Sequence, residues 1–378
     1  MSGESRKKGI SAFLKLCPVR HILLALSCLL ILLHFLTRPE KLQMIWISDH
    51  VVRPIHRTLS VWTSHVPFSV VELLIALFVI LLITYVILQI VSLVRKPEKL
   101  KRLYRTFITL ITAGLVIYAG FCILWGVYYY GDDFITRSGL KNQKISTEDL
   151  AEVTQYFADM ANDYSHMVSR DENGVYSADI KDLIGRSDEV YLKAEREFLC
   201  LEGPEIKAKG VICSRIMSYI DFTGFFFPFT AEANVNTETP SAYFASTVAH
   251  ELAHQRGVAK EQEANFAAVL ASLEYGDPDY VYSAAVLAYT HLGNALYDAD
   301  REKWEEIYSG LNEAVLKDLQ ANREYWQRFD TPVQKASNVV YENFLYSYDQ
   351  NLGLKSYGAC VDLLVNYYLD AAISANYS

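Results

Sequence analysis

Three long apolar runs occupy the first third of the chain, at residues 21–37, 68–94 and 107–128. A helix of about 20 apolar residues crosses the hydrocarbon core of a bilayer. Three tyrosines end the third run, and aromatic rings are typical of the membrane–water interface. The pattern therefore predicts a three-helix transmembrane region within residues 21–130. The first run is expected to be retained, because no small-residue cleavage site of a signal peptide follows it.

The segment between the first two runs, residues 38–66, has a different pattern. It mixes Trp46 and Trp62 with basic and aliphatic residues. Indole rings favour the headgroup level of a bilayer, and so do helices with one apolar face. We therefore expect this segment to be an interfacial loop that contains short amphipathic pieces.

The distribution of lysine and arginine predicts an orientation. Residues 1–20 contain five and residues 95–105 contain six, whereas residues 38–66 contain four and residues 128–145 contain three. The side of a membrane that is richer in these residues is normally cytoplasmic. The sequence thus predicts a multi-pass protein of the cell membrane, with residues 1–20 as a cytoplasmic basic tail and residues 131–378 outside the cytoplasm.

The rest of the chain, residues 131–378, has mainly helical patterning. Helices are predicted at about 146–169, 177–198, 301–327, 333–347 and 357–373. Gly276-Asp277-Pro278 is predicted to end one helix and to begin the next. Residues 223–236 are rich in Phe and Thr and contain Pro228, which predicts an extended edge chain rather than a central strand. The predicted fold class is mainly α with a small edge-strand element.

Composition narrows the possible functions. The net charge is −9 and no basic face is evident outside the segments that flank the apolar runs, so nucleic acid is not expected as a partner. The six cysteines lack C-x-x-C spacing, which argues against a cysteine zinc site or a redox motif. Cys200 and Cys213 could form a disulfide in an oxidising compartment, and two free thiols are the alternative.

One short motif carries candidate chemistry. His250, Glu251 and His254 form the pattern H-E-x-x-H. On a helix the two histidines lie one turn apart on the same face, so both imidazoles can bind one metal ion. Glu251 can then reach a metal-bound water without binding the metal itself. Thr239-Pro240 before the motif and Gly257 after it favour such a helix. The alternative is two surface histidines on an ordinary helix.

The motif and residues 261–265 (E-Q-E-A-N) resemble the gluzincins, a clan of zinc metallopeptidases whose metal ligands are two histidines and a glutamate. The resemblance implies that Glu261 is the third ligand and that Asn265, one turn further on, supports His250. Glu263 is the rival ligand, but its neighbour at i+4 is Ala267, which cannot support a ligand by hydrogen bonding. Asn265 stands where the clan has aspartate, which weakens the charge behind the histidine.

A narrower similarity covers most of the chain. Residues 227–236, the zinc motif and Ser356-Tyr357-Gly358 are similar to a bacterial membrane-protein family that is known as a domain of unknown function. The likeness extends through the three N-terminal spans. It implies a zincin-like metallopeptidase domain at residues 131–378 and supplies no substrate.

Together these features predict a membrane-anchored zinc-dependent metallopeptidase, a hydrolase that cleaves peptide or protein substrates outside the cytoplasm. One Zn²⁺ per chain would be held by His250, His254 and Glu261, and Glu251 would be the catalytic base. Three protein ligands with one open position are typical of a catalytic zinc site. The lipid bilayer is the other expected partner, and the oligomeric state is left open.

Further parts of the mechanism have several candidates. A donor that stabilises the oxyanion or supplies a proton is expected, and Tyr289, His291 and Tyr357 are the candidates. Residues 224–236 could hold a substrate backbone by strand addition, as edge strands do in zincins, or could be an ordinary loop. Two other functions stay open: a non-catalytic zinc-binding sensor or scaffold for peptides or the cell envelope, and a structural membrane protein with an accidental motif.

Overall fold

The computed structural model describes residues 15–140, 143–348 and 358–376. The α-helices in these ranges are α1 (Pro18–Thr37), α2 (Lys41–Ile47), α3 (Arg53–Ser64), α4 (Val70–Arg95), α5 (Lys99–Leu124), α6 (Phe134–Ser138), α7 (Thr147–Tyr164), α8 (Ile180–Gly185), α9 (Ala194–Glu197), α10 (Ser214–Tyr219), α11 (Ser241–Gln255), α12 (Glu261–Tyr275), α13 (Pro278–Ala299), α14 (Arg301–Ser309), α15 (Glu313–Gln327), α16 (Pro332–Ser347) and α17 (Gly358–Asn376). The strands are β1 (Lys209–Val211), β2 (Gly224–Phe227) and β3 (Glu232–Asn236). Short π-helical or 3₁₀ segments cover Ser48–Val52, Gly126–Tyr130, Ser187–Glu189 and Leu199–Leu201.

The chain divides into two compact units. The first unit is Met1–Val52 with Val71–Gly131, and the second is Arg53–Val70 with Asp132–Ser378. The sequence-based division placed all of residues 38–66 in the transmembrane region. In the structure, the part of that segment from Arg53 onward belongs to the unit that carries the H-E-x-x-H motif.

The first unit contains the membrane-spanning segments. Among the described residues, α1, α4 and α5 are long and apolar enough to cross a membrane. Most of their apolar side chains are exposed on the protein, and such a surface is stable in lipid rather than in water. The prediction of three N-terminal transmembrane helices is confirmed. α5 starts earlier than predicted, because part of the basic segment at residues 95–105 is helical.

The described part of the second unit contains a three-stranded sheet with the order β1–β3–β2. β1 is parallel to β3, and β2 is antiparallel to it. The predicted edge strand is therefore found in β2, whereas β3, from the same predicted segment, is the central strand. The prediction failed there because it rested on Pro228, which lies in the turn between β2 and β3 and so does not interrupt β3. The polar side chains of β3 are buried: Glu232, Asn234 and Asn236.

α11 lies against this sheet, and other helices pack around α11. α11 packs on β2 and β3 and also on α12 and α13, which pack on each other, and α7 and α17 pack on α13. The alanines of α11 are buried, and small side chains let neighbouring helices and strands approach closely. The hydroxyl of Tyr191 donates a hydrogen bond to the carbonyl of Ala249 at 2.8 Å. The mainly α fold class is thus confirmed, and α11 is enclosed on several sides.

Most of the predicted helices are present, with changed boundaries. Gly276 has φ +79°, and the side chain of Asp277 accepts hydrogen bonds from the backbone at the start of α13, as the sequence predicted for a helix junction. The long helix predicted at 177–198 is wrong, since Asp179 caps the short α8 and the chain then turns. The helix predicted at 301–327 is split at Gly310, which ends α14, and Asn312, which caps α15.

All six cysteines are free thiols in the structure. The two that could have paired differ in surroundings, because Cys200 is half-buried and Cys213 is exposed. Of the two alternatives that the sequence left open, the structure therefore has free thiols rather than a Cys200–Cys213 disulfide.

A buried ion pair fixes the segment that leads into α4. Lys209 donates to the carboxylate of Glu232 at 2.6 Å and to the carbonyls of Thr63 and Phe68 at 2.7 and 3.1 Å. Glu232 also accepts a hydrogen bond from the backbone N–H of Val70 at 3.0 Å. The two charged side chains are only 9% and 1% exposed. Their partners therefore hold the end of α3 and the start of α4 against β1 and β3.

Replacing Lys209 with alanine should destabilise the second unit, because the buried carboxylate of Glu232 would lose the ammonium group that lies 2.6 Å from it. Breaking a buried ion pair costs about 3–5 kcal/mol. The free energy of unfolding would be measured by chemical denaturation of the full chain in detergent. Lys317→Ala is the matched control, because Lys317 and its partner Glu313 are 42% and 83% exposed and surface pairs contribute less than about 1 kcal/mol. Equal losses in the two variants would contradict this role of Lys209.

Candidate metal centre

The H-E-x-x-H motif lies on the last turns of α11. The helix runs from Ser241 to Gln255, and its N-cap residue is Pro240 rather than Thr239, which the sequence favoured as the cap. Gly257 then adopts φ +81°, a conformation that favours glycine and turns the chain toward α12. The rings of His250 and His254 are perpendicular, with centroids 4.6 Å apart. Both imidazoles therefore face the same side of α11.

The first residue of α12 completes the cluster. Oε2 of Glu261 lies 3.1 Å from Nε2 of His250 and 3.6 Å from Nε2 of His254. One ligand atom from each of the three side chains lies within 4.8 Å of the other two. Ligand atoms around a tetrahedral zinc ion are about 3.4 Å apart when each bond is about 2.1 Å long. The three side chains could therefore hold one zinc ion with small adjustments.

The Nδ1 nitrogen of each histidine, which points away from the cluster, lies beside a hydrogen-bond acceptor. Nδ1 of His250 lies 2.8 Å from Oδ1 of Asn265, and Nδ1 of His254 lies 2.7 Å from the carbonyl oxygen of Val258. A carbonyl oxygen can only accept, so the proton of each neutral ring belongs on Nδ1 and leaves Nε2 with its lone pair. This is the arrangement that metal-binding histidines usually have. The structure thus places Asn265 beside His250, as the resemblance implied.

The carboxylate of Glu261 and the imidazole of His254 shift each other's pKa values. Burial lowers the pKa of His254, but the charge of Glu261 outweighs it and brings the value up to about 9. Burial raises the pKa of Glu261, but the two facing histidines hold it well below its usual value. The three side chains therefore favour a positive charge between them, whether a proton on an imidazole ring or a divalent cation supplies it.

Glu251 lies next to the cluster and is nearly inaccessible to solvent. Burial raises its pKa to about 7, although the charges of His250 and His254 oppose this effect. Its Oε2 has no hydrogen-bond partner among the described residues. The β2 strand passes directly beside it, since a Cβ added to Gly224 would lie 2.6 Å from Oε1 of Glu251. Only glycine allows this approach of strand and carboxylate.

Solvent reaches the cluster from one side. The side chain of Glu261 is 27% exposed and that of His250 is 15% exposed, whereas His254 is buried. A metal ion bound by these three residues would therefore have room for a water or a substrate atom on the exposed side. Such an open position is a property of catalytic rather than structural zinc sites.

Glu263, the rival third ligand, points elsewhere. It forms an ion pair with Lys260 at 3.4 Å and accepts a hydrogen bond from the backbone N–H of Phe134. It therefore caps the first turn of α6, and the geometry favours Glu261 over Glu263 as the residue that faces the histidines.

The structure places one of the three candidate oxyanion or proton donors close to the cluster. His291 is buried close enough to His250 for their charges to interact, which together with burial lowers the pKa of His291 to about 4. Tyr289 lies two residues away on α13, which is about 200° around the helix. Its raised pKa comes from burial and from two other tyrosines, Tyr308 and Tyr243. Tyr357 lies outside the described residues.

The sequence did not identify one residue that contacts the cluster. The hydroxyl of Tyr341, on α16, donates a hydrogen bond to Oε1 of Glu261 at 2.7 Å. Eighty residues separate the two in sequence. No spacing rule links residues so far apart, and the chain contains 26 tyrosines. The sequence offered no signal that could have singled this one out.

A comparison with known families gives a match that covers most of the chain. Residues 48–365 match a family described as "Protein of unknown function (DUF3810)". The chain belongs to this family. The match begins after α1, so it does not include the first of the three spans that the resemblance was expected to cover. No curated protein and no solved structure matches the chain.

The choice between Glu261 and Glu263 can be tested by metal content. We expect Glu261→Gln to lose most of the zinc that the purified protein retains after dialysis, because a neutral amide is a poor zinc ligand and the charge balance is lost. Glu263→Gln is the matched control and should keep the wild-type zinc content, since its amide oxygen can still accept from Phe134. The measurement is the zinc-to-protein ratio by mass spectrometry. The opposite pattern would make Glu263 the ligand.

Proposed function

We propose that this chain is a membrane-anchored, zinc-dependent metallopeptidase that hydrolyses peptide bonds outside the cytoplasm. The main support is the convergence of His250, His254 and Glu261 at distances that suit zinc, with the buried carboxylate of Glu251 beside them. Each of the two histidines also makes a hydrogen bond through Nδ1, which leaves Nε2 available for a metal ion. An accidental motif would not need this set of supporting contacts.

The role of each residue follows from its position. Zinc bound at this site would polarise a substrate carbonyl and lower the pKa of a bound water. Glu251 accepts the proton of the attacking water on its carboxylate and passes it to the departing amine. In the metal-free protein burial raises the pKa of Glu251 to about 7, and a carboxylate with a raised pKa accepts a proton more readily than an exposed one. Of the two donor candidates among the described residues, His291 is the one that interacts electrostatically with a proposed ligand, His250.

The neighbouring strand supports a polypeptide as the substrate. β2 pairs with β3 along one edge, and within the described residues no strand pairs with its other edge. Because Gly224 touches Glu251, a peptide added along β2 would pass close to the base. An extended substrate backbone can hydrogen bond to such an edge with any side chains, which suits a peptidase.

The proposed location follows from the membrane helices and the charge distribution. The three apolar helices anchor the chain, and the excess of basic residues at 1–20 and 95–105 favours a cytoplasmic position for these segments. An odd number of spans then puts residues 131–378 on the opposite side of the membrane.

The proposal is tested by replacing Glu251 with glutamine in the full-length protein. We expect zinc content to stay at the wild-type level, because Glu251 is not a ligand, and peptide hydrolysis to fall by about 100- to 10,000-fold. Zinc content and cleavage of a peptide library are measured on the same detergent-solubilised samples. Gly224→Ala is a second variant with the ligands intact, and it should also lose activity because its methyl group would displace Glu251.

Two results would contradict the proposal in different ways. A zinc-loaded wild-type protein that shows no Glu251-dependent cleavage would be a zinc-binding sensor or scaffold rather than a peptidase. A wild-type protein that does not bind zinc would leave the metal site itself without support.

A further inference from the structure

Glu261 offers its two oxygens to different partners. Oε2 faces the imidazoles of His250 and His254, at 3.1 and 3.6 Å, whereas Oε1 accepts the hydrogen bond from Tyr341 at 2.7 Å. The hydroxyl therefore occupies the oxygen that points away from the histidines. A carboxylate held in this way presents Oε2 to a metal ion at the histidines, and the hydrogen bond on Oε1 competes with metal binding by that oxygen.

The number of oxygens that Glu261 supplies matters for the chemistry of the site. Two histidines and one carboxylate oxygen make three ligand atoms and leave a tetrahedral zinc ion one open position. A second oxygen from the same carboxylate would take up that position. The hydrogen bond from Tyr341 therefore favours the geometry that keeps the site open to water and substrate.

Tyr341 is held in place by contacts of its own helix. On α16, Ser337 donates to the carbonyl of Ile220 at 2.9 Å and Asn338 donates to the carboxylate of Asp221 at 2.9 Å. The ring of Tyr341 packs edge-on against Phe222, with centroids 5.3 Å apart. Residue 341 lies about one turn from both residue 337 (four residues away) and residue 338 (three residues away), so the three share one face of the helix.

These contacts connect the metal ligand with the strand beside the base. Residues 220–222 form the turn that leads into β2, and Asp221 in this turn has φ +65°, which is unusual for a residue with a side chain. β2 begins two residues later at Gly224, which touches Glu251. One face of α16 thus contacts both the ligand Glu261 and the turn that positions the β2 strand.

We propose that Tyr341 is a positioning residue for the metal centre: its hydroxyl holds Glu261 in the one-oxygen geometry, and α16 carries this hydroxyl to the site. The inference rests on the proposed zinc site and deepens it. Although α16 contributes no ligand, Tyr341 on this helix would then affect the affinity for the metal through Glu261. Outer partners of metal ligands typically contribute about 10- to 100-fold to affinity.

The test compares Tyr341→Phe with Tyr346→Phe in the full-length chain in detergent. Both variants lose one hydroxyl from α16, but Tyr346 is exposed and has no hydrogen bond to the ligands among the described contacts. Zinc affinity is measured by competition with a chelator. We expect Tyr341→Phe to bind zinc about 10- to 100-fold more weakly and Tyr346→Phe to match the wild type.

A second readout reports the coordination geometry. Cobalt(II) replaces zinc in such sites, and its visible absorption is strong in four-coordinate sites and weaker when a fifth ligand atom binds. We expect the cobalt form of Tyr341→Phe to absorb more weakly than the wild type, because the freed Oε1 can bind the metal. The cobalt form of Tyr346→Phe should have the wild-type spectrum.

A third variant separates positioning from any folding defect. Asn338→Ala removes a surface hydrogen bond between α16 and the turn while it leaves the Tyr341 hydroxyl intact, and it should weaken zinc binding less than Tyr341→Phe does. If Tyr341→Phe and Asn338→Ala both bind zinc as tightly as the wild type, with the wild-type cobalt spectrum, the inference is overturned and the zinc site stands. If the wild-type protein itself binds no zinc, the proposed function fails and this inference fails with it.

Discussion

The attraction between one carboxylate and two imidazoles is the constraint on which the rest of the site depends. Glu261 has to start α12 at the place where it faces His250 and His254, and a shift of one residue would turn it away by about 100°. The turn at Gly257 sets this register from one side. The residue after Glu261 is also fixed: the side chain of Gln262 accepts a hydrogen bond of 2.6 Å from the backbone N–H of Ala359, which lies at the start of α17.

The surrounding fold serves this arrangement by excluding water from most of it. α11 is enclosed by β2, β3, α12 and α13, so Glu251 and His254 are buried while Glu261 keeps a partly exposed side. A low-dielectric environment strengthens the attraction between the carboxylate and the imidazoles and raises the pKa of the neighbouring Glu251. In the proposed metallopeptidase, the same burial would prepare His250, His254 and Glu261 for a cation and Glu251 for proton transfer.

Features that arise from residues close together in the sequence could be predicted, whereas contacts between distant residues could not. The transmembrane helices, the helical H-E-x-x-H segment and the Gly276–Pro278 helix junction follow from local patterns, and the structure contains them all. Glu261 and Asn265 were found because they lie within fifteen residues of the histidines and match a known spacing. Tyr341 and Lys209 were missed because their contacts join distant segments and leave no periodic signal. β3 was misjudged for another reason, since the prediction rested on Pro228, and this proline lies in the turn before the strand rather than in it.

The polar side chains of β3 also make this strand a meeting point for distant parts of the chain. Asn234 accepts a hydrogen bond from Ser69 at 2.7 Å, and Asn236 donates to Ser218 and to the carbonyl of Phe222. Glu232 holds Lys209 and the first residue of α4. Since β3 cannot separate from the sheet without breaking all of these bonds together, its amide protons should exchange with solvent only through opening of the entire second unit. The strand that packs on α11 should therefore move only with the second unit as a whole, and with it Ser69 and Val70, which bond to its side chains.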